Sequence, residues 1–110
     1  MVKQGTIIKI NFNPQAGHEQ SGVRPALVIS NDIFNQKTNL TIVCPITNTN
    51  NRFPLHISLD ERTKTNGVIL CEHIKALDLN ARKYQVVEQL PEDLLQEVID
   101  IVYAEIERIK

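Results

Sequence analysis

The hydrophobic period of this chain changes once, at Pro91, and that change constrains the fold more than any other feature. Before it, apolar residues recur at every second position or in short runs; after it, they recur at i+3 and i+4. Thr6 to Phe12 alternates, with Ile8, Ile10 and Phe12 on one face, as a half-buried strand does. Arg24 to Ser30 and Leu40 to Ile46 are apolar runs suited to central strands, the second brought to an end or a bulge by Pro45. Leu55 to Leu59 and Val68 to Leu77 alternate again, with Thr65-Asn66-Gly67 as the turn between them. Asn31 offers a helix cap and about one helical turn. Leu95, Val98, Ile99, Val102, Ile106 and Ile109 then form a helical stripe, widened by Leu94 and Ile101, with Pro91 suited to the first helical position. The pattern predicts a β-rich α+β domain of six or seven strands closed by one C-terminal amphipathic helix.

The 110 residues fit a single domain, expected to span residues 1–110. A hydrophobic content of 42% and a charged content of 23% argue against disorder. No apolar run exceeds four residues, as at Ala26 to Ile29, so no membrane span is expected. Met1 to Gly5 carries no apolar leader, and Cys44 and Cys71 read as two buried thiols, so a cytoplasmic protein is expected. The net charge of −1 conceals an asymmetry. Residues 1–83 hold ten Lys/Arg against six Asp/Glu, and residues 84–110 hold two against seven. One end can present a positive face, while the acidic excess also fits the solvated face of a helix.

No cysteine or histidine spacing matches a metal site, and no phosphate loop, dinucleotide fingerprint or Gly-x-Ser-x-Gly elbow is present. No metal or cofactor is expected. What remains is a polar ten-residue loop, Asn13 to Gly22, that feeds into Arg24 at the mouth of an apolar strand. Arg24 fits two readings: a strand-end ion pair with Glu19, or a guanidinium fork on a phosphate. Thr47, at the end of the neighbouring apolar strand, is either a turn residue or a hydroxyl facing the same loop. The residues alone stop at that choice.

Gly5-Thr6-Ile7-Ile8, the stretch from Asn13-Pro14 through Ala16-Gly17-His18-Glu19-Gln20-Ser21-Gly22-Val23-Arg24-Pro25 to Ser30, and Val43-Cys44-Pro45-Ile46-Thr47 together resemble the MazF/PemK (Kid) toxins. The resemblance continues through Asn66-Gly67-Val68, Glu72 to Asp78, Ala81-Arg82 and Leu90-Pro91-Glu92, which is nearly the whole chain. It implies an SH3-like small barrel of the CcdB/Kid/MazF type and a homodimer whose interface forms an RNA groove. It also implies a ribosome-independent, metal-free endoribonuclease. Such an enzyme cuts single-stranded RNA to 2′,3′-cyclic phosphate and 5′-hydroxyl ends. DNA, lacking the 2′-hydroxyl, is not a substrate. A cognate antitoxin is implied as partner, with DNA reached only through the antitoxin complex.

Carried over residue by residue, Arg24 matches the family's essential arginine and Thr47 the threonine that pairs with it at the scissile phosphate. Glu19 matches the motif glutamate, and is the first candidate to accept the 2′-hydroxyl proton; His18, present in the Kid/PemK branch, is the alternative. Either can instead serve only to orient Arg24. Glu72 falls where Kid-like members carry an acidic residue proposed as general base. Phe12, Gln20, Asn48, Glu72, His73, Lys75 and Arg82 are assigned to RNA binding, Phe12 either stacking on a base or packing in the core. Arg52, Lys64 and Lys83 are further candidates for the groove. His56 reads as structural. Two positions depart from the pattern: Leu70 stands where Kid has a second catalytic arginine, and His73 replaces the usual glutamine. A gyrase-binding toxin of the CcdB type is the competing reading, and the Arg24/Thr47 pair argues against it.

Overall fold

A computed structural model describes residues 2–13, 22–49 and 54–110. Their order is β1 (Thr6–Asn11), β2 (Val23–Val28), α1 (Asp32–Thr38), β3 (Thr41–Thr47), β4 (His56–Ser58), β5 (Val68–Leu70), β6 (Lys75–Leu77), β7 (Tyr84–Gln89) and α2 (Glu92–Ile106). The strands form one antiparallel sheet in the order β4-β5-β3-β2-β1-β7, with β6 pairing β3 beside β5. The result is a small, barrel-like, β-rich α+β fold with a C-terminal helix.

Cross-strand partners share a face, and so do residues two apart in one strand, so the register assigns every side chain to one of two sides. Ile8 lies opposite Ala26, Ala26 opposite Pro45, and His56 opposite Leu70. On this side Ile8, Ile10, Phe12, Ala26, Val28 and Val43 build one core, with Val2, Leu77 and Leu79 packed in. On the other side Ile7, Leu27, Cys44, Ile46 and Ile69 meet Leu94, Leu95 and Val98 of α2. Each of those helix side chains contributes about 1.5–3 kcal/mol by leaving water, which fixes α2 across the sheet.

The local chemistry explains where the elements depart from the sequence pattern. Pro45 does not end β3 but sits inside it. On one flank β3 pairs β6 through Val43 and then β5 from Ile46, so Pro45 falls in the gap between partners, where a missing N–H costs least. Val68 to Leu77 is not one strand. It breaks into β5 and β6 at a turn closed by His73 N–H donating to the Leu70 carbonyl at 3.1 Å. α1 runs seven residues because both ends are capped: Asn31 Oδ1 accepts from Phe34 N–H at 2.9 Å, and Asn39 closes the helix with φ +58°. Pro91 precedes α2 as its cap rather than opening it. α2 ends at Ile106, so Ile109 lies beyond it and both isoleucines are exposed. Strand β7 carries no clean alternation and has no counterpart among the expected strands. Cys44 and Cys71 are free and buried, as expected.

Candidate active site

The face that carries the Ile8, Ala26 and Val43 core changes character toward one end of the sheet. Arg24 is the second residue of β2 and Thr47 the last of β3. The Ala26–Pro45 pairing, continued by two residues, sets Arg24 against Thr47 on the same side. Both line a cavity of about 290 Å³ together with Thr49, His56, Leu70, Glu72 and His73. A larger cleft of about 650 Å³, by Lys3, Asn31 and Gln89, gathers no comparable set of titratable groups. Chemistry rather than size selects the site.

Thr47 is only 8% exposed, and its hydroxyl oxygen accepts from Thr49 N–H at 3.2 Å. The hydroxyl keeps its own proton to donate, which suits a phosphate oxygen. Glu72 and His73 sit on the turn that separates β5 from β6. Glu72 Oε2 lies 3.0 Å from His56 Nε2 and 3.7 Å from His73 Nε2, the first a hydrogen bond and the second an ion-pair distance. Its other oxygen, Oε1, is buried and has no hydrogen-bond partner among the described residues. Glu105, on the last turn of α2, is held above the usual carboxylate range by desolvation and by the charge of Glu72. Burial, then Glu105 and Glu72, push the Cys71 thiol up to about 12, so this thiol stays neutral at the back of the site. One guanidinium, one carboxylate, two imidazoles and two hydroxyls thus meet at a single cavity.

The sequence-predicted residues divide accordingly. Arg24, Thr47, Glu72 and His73 come together. Phe12 does not join them: it is 1% exposed and packed among Ile8, Ile10 and Ala26, so its ring has no face to offer a base. The RNA-stacking assignment for Phe12 is corrected to core packing. Arg82 lies at a separate cavity with Asn11, Asn13 and Lys83, and its Nη1 donates to the Asn11 and Asn13 carbonyls at 2.7 and 3.1 Å. It straps the start of the Asn13 loop. Lys75 is half-buried on β6, opposite Val43, outside the cavity lining. Asn48 is exposed just past β3. His18, Glu19, Gln20 and Arg52 lie outside the described residues.

His56 is the site residue that sequence reasoning set aside. Alternation identifies its face but not what stands across the ladder. Leu70 does, and the residue two beyond Leu70 is Glu72.

Residues 3–104 match the family model described as the PemK-like, MazF-like toxin of type II toxin–antitoxin systems. Among curated proteins, Endoribonuclease PemK of Escherichia coli is 34% identical over 102 residues, covering 89% of this chain and 77% of that one. Among solved structures, MazF from Deinococcus radiodurans aligns with a TM-score of 0.88 at 36% identity over 94% of both chains. The MazE–MazF complex from the same organism gives 0.82, also at 36% identity and with the same coverage. With the Arg24/Thr47 cavity in place and the match running through both cores and α2, the chain belongs to the PemK-like, MazF-like family of type II toxins.

Proposed function

We propose that this chain is an endoribonuclease toxin that cuts single-stranded RNA by attack of a ribose 2′-hydroxyl on the adjacent phosphate. One observation carries the reading: Arg24 and Thr47 face one cavity from neighbouring strands, in a chain whose relatives are named endoribonucleases. The Arg24 guanidinium forks onto the non-bridging oxygens and stabilises the phosphorane; its charge persists at any working pH, so it does not serve as the proton carrier. Thr47 donates its hydroxyl proton to a non-bridging oxygen. The 2′-oxygen forms its bond to phosphorus as the bond to the 5′-oxygen breaks, and the departing 5′-oxygen takes a proton from water, leaving a 2′,3′-cyclic phosphate and a 5′-hydroxyl.

The proton of the 2′-hydroxyl needs an acceptor near the phosphate. Glu19 and His18, on the loop before β2, remain candidates from the family pattern. Glu72 is the carboxylate that the described cavity brings to Arg24 and Thr47, and on that ground we assign it the proton, leaving Glu19 and His18 to orient Arg24. The MazE–MazF complex supports a cognate antitoxin as the partner that neutralises the enzyme. A homodimer is part of the same reading, as is access to DNA only through the antitoxin complex. The gyrase-binding alternative finds no support among the relatives, which carry ribonuclease names.

The test is incubation with a long mixed-sequence single-stranded RNA in EDTA and without ribosomes. Discrete fragments ending in 2′,3′-cyclic phosphate are expected. Arg24→Ala is expected to lose about a hundredfold to a thousandfold in rate while its circular dichroism stays that of wild type. Intact RNA after prolonged incubation with folded wild-type protein overturns the proposal.

A further inference from the structure

Resting on that ribonuclease reading, we infer that His56 is a positioning residue that holds the Glu72 carboxylate in place for the reaction. Glu72 sits on a turn, where the backbone alone leaves a long side chain free to swing toward water. Its side chain nevertheless stays 73% covered, at 27% exposure, with Oε2 bonded to an imidazole that is itself only 4% exposed. His56 is the fixed party of the pair. It is anchored in β4 directly opposite Leu70, and its Nε2 reaches Oε2 at 3.0 Å. A buried donor of that kind sets both the rotamer and the direction of the carboxylate, as a supporting shell must if a reacting group is to be held within tenths of an ångström.

Charge supplies a second argument. A carboxylate beside a phosphodiester repels it, and Glu105 adds a further anion near Glu72. Leu70 offers no cation from β5, although the family resemblance carries an arginine at that position. The imidazole opposite it, His56, meets Glu72 Oε2 at 3.0 Å, and His73 Nε2 lies 3.7 Å from the same oxygen. Two ring nitrogens thus lie within 4 Å of the Glu72 oxygen, beside a position where Kid carries an arginine. The apolar residue at position 70 and the histidine at position 56 form one coherent change, made across a single rung of the β4–β5 ladder.

The experiment measures steady-state cleavage of a short RNA oligonucleotide built around a site that the wild-type chain cuts. It compares His56→Leu, His56→Gln, and each of these with Glu72→Gln. His56→Leu is expected to lower kcat roughly tenfold to a hundredfold, with KM changed by no more than about twofold. His56→Gln, whose amide can donate from a similar reach, is expected to recover most of that loss. In the Glu72→Gln background neither change at His56 should slow the reaction further. Wild-type kcat in His56→Leu overturns the inference, as does equal slowing by Leu and Gln, or a full additional loss on top of Glu72→Gln. If His56→Leu does not fold, His56→Asn, whose amide stops short of the reach of Nε2, takes its place, with the same loss expected and wild-type kcat again overturning the inference. A wild-type chain that cuts no RNA at all overturns the ribonuclease reading together with this one, whereas active wild type with indifferent His56 variants overturns this one only.

Discussion

Gly67 has φ +118°, and a Cβ built on it would lie 2.2 Å from the Thr47 carbonyl oxygen. The turn into β5 therefore presses on the backbone of Thr47, the residue proposed to hold the phosphate. Gly67→Ala must either push the end of β3 away or distort the turn, and the left-handed backbone adds strain of its own. It is expected to cost about 2–4 kcal/mol in urea unfolding and to slow RNA cleavage more than the stability loss alone accounts for. At this scale the sequence was informative where a residue belongs to a local motif. Arg24 and Thr47 stand at strand mouths next to polar loops, and their roles could be carried over from the Glu19-to-Pro25 segment and the Cys44-to-Thr47 segment. It was uninformative where the partner comes from another strand. His56 lies between Leu55 and Ile57 and reads as an inward-facing strand residue, because its bond to Glu72 depends on a register that no local pattern records. Phe12 had two readings, stacking on a base or packing in the core, and Ala26, Val28, Val43 and Leu77 around it decide for the core.

At the scale of elements, β7 shows why one strand escaped the pattern. Ile7 pairs with Glu88 and Ile8 with Val86, so Val87 is an extra residue bulged out of the ladder. The bulge reverses the alternation halfway along Tyr84–Gln89, and a period of two is no longer visible. The same strand secures the turn before β5. Glu88 Oε1 accepts from Lys64 N–H at 3.0 Å, and Oε2 accepts from Thr65 N–H and the Thr65 hydroxyl, both at 2.8 Å. Desolvation pushes this carboxyl up, but the three hydrogen bonds outweigh it and hold it below its ordinary value. A depressed folded-state pKa stabilises the chain above the unfolded value, and that contribution disappears as pH falls through the folded one. Glu88→Gln is therefore expected to cost about 1–2 kcal/mol near pH 7. The difference from wild type should shrink on acidification through the carboxylate range, as thermal melts across that range will show. A gap that stays constant with pH would mean that shape rather than charge makes the contact. The helices were more legible than the strands. The stripe of α2 could be read from its period, but its end could not, because Ile106 and Ile109 continue the spacing past the last residue that finds the sheet.

Over the whole molecule, the sheet has two loaded sides and each has its own purpose. The α2 side is apolar where Ile7, Leu27, Cys44, Ile46 and Ile69 meet the helix, whereas the opposite side is apolar in one half and chemical in the other. Leu95 lies in the α2 core at 7% exposure. Leu95→Ala is expected to cost about 2–4 kcal/mol, yet to leave the sequence at which RNA is cut unchanged, as end-mapping of the fragments will report. The overall class was legible because it depends on a single change of period, and that survives every local irregularity. The site's architecture was less so, because strand order and register decide which residues become neighbours. The alternation itself has a further consequence. In β2 and β5 the even-numbered positions face the site and the odd-numbered ones face α2; in β3 the two are exchanged. Where these strands line the cavity, adjacent letters of the chain, such as Ile46 and Thr47 or Ile69 and Leu70, thus answer to separate constraints, one the lining of the cavity and the other the α2 core. Point changes at the cavity-lining positions can therefore alter the site while the intervening positions hold α2 against the sheet.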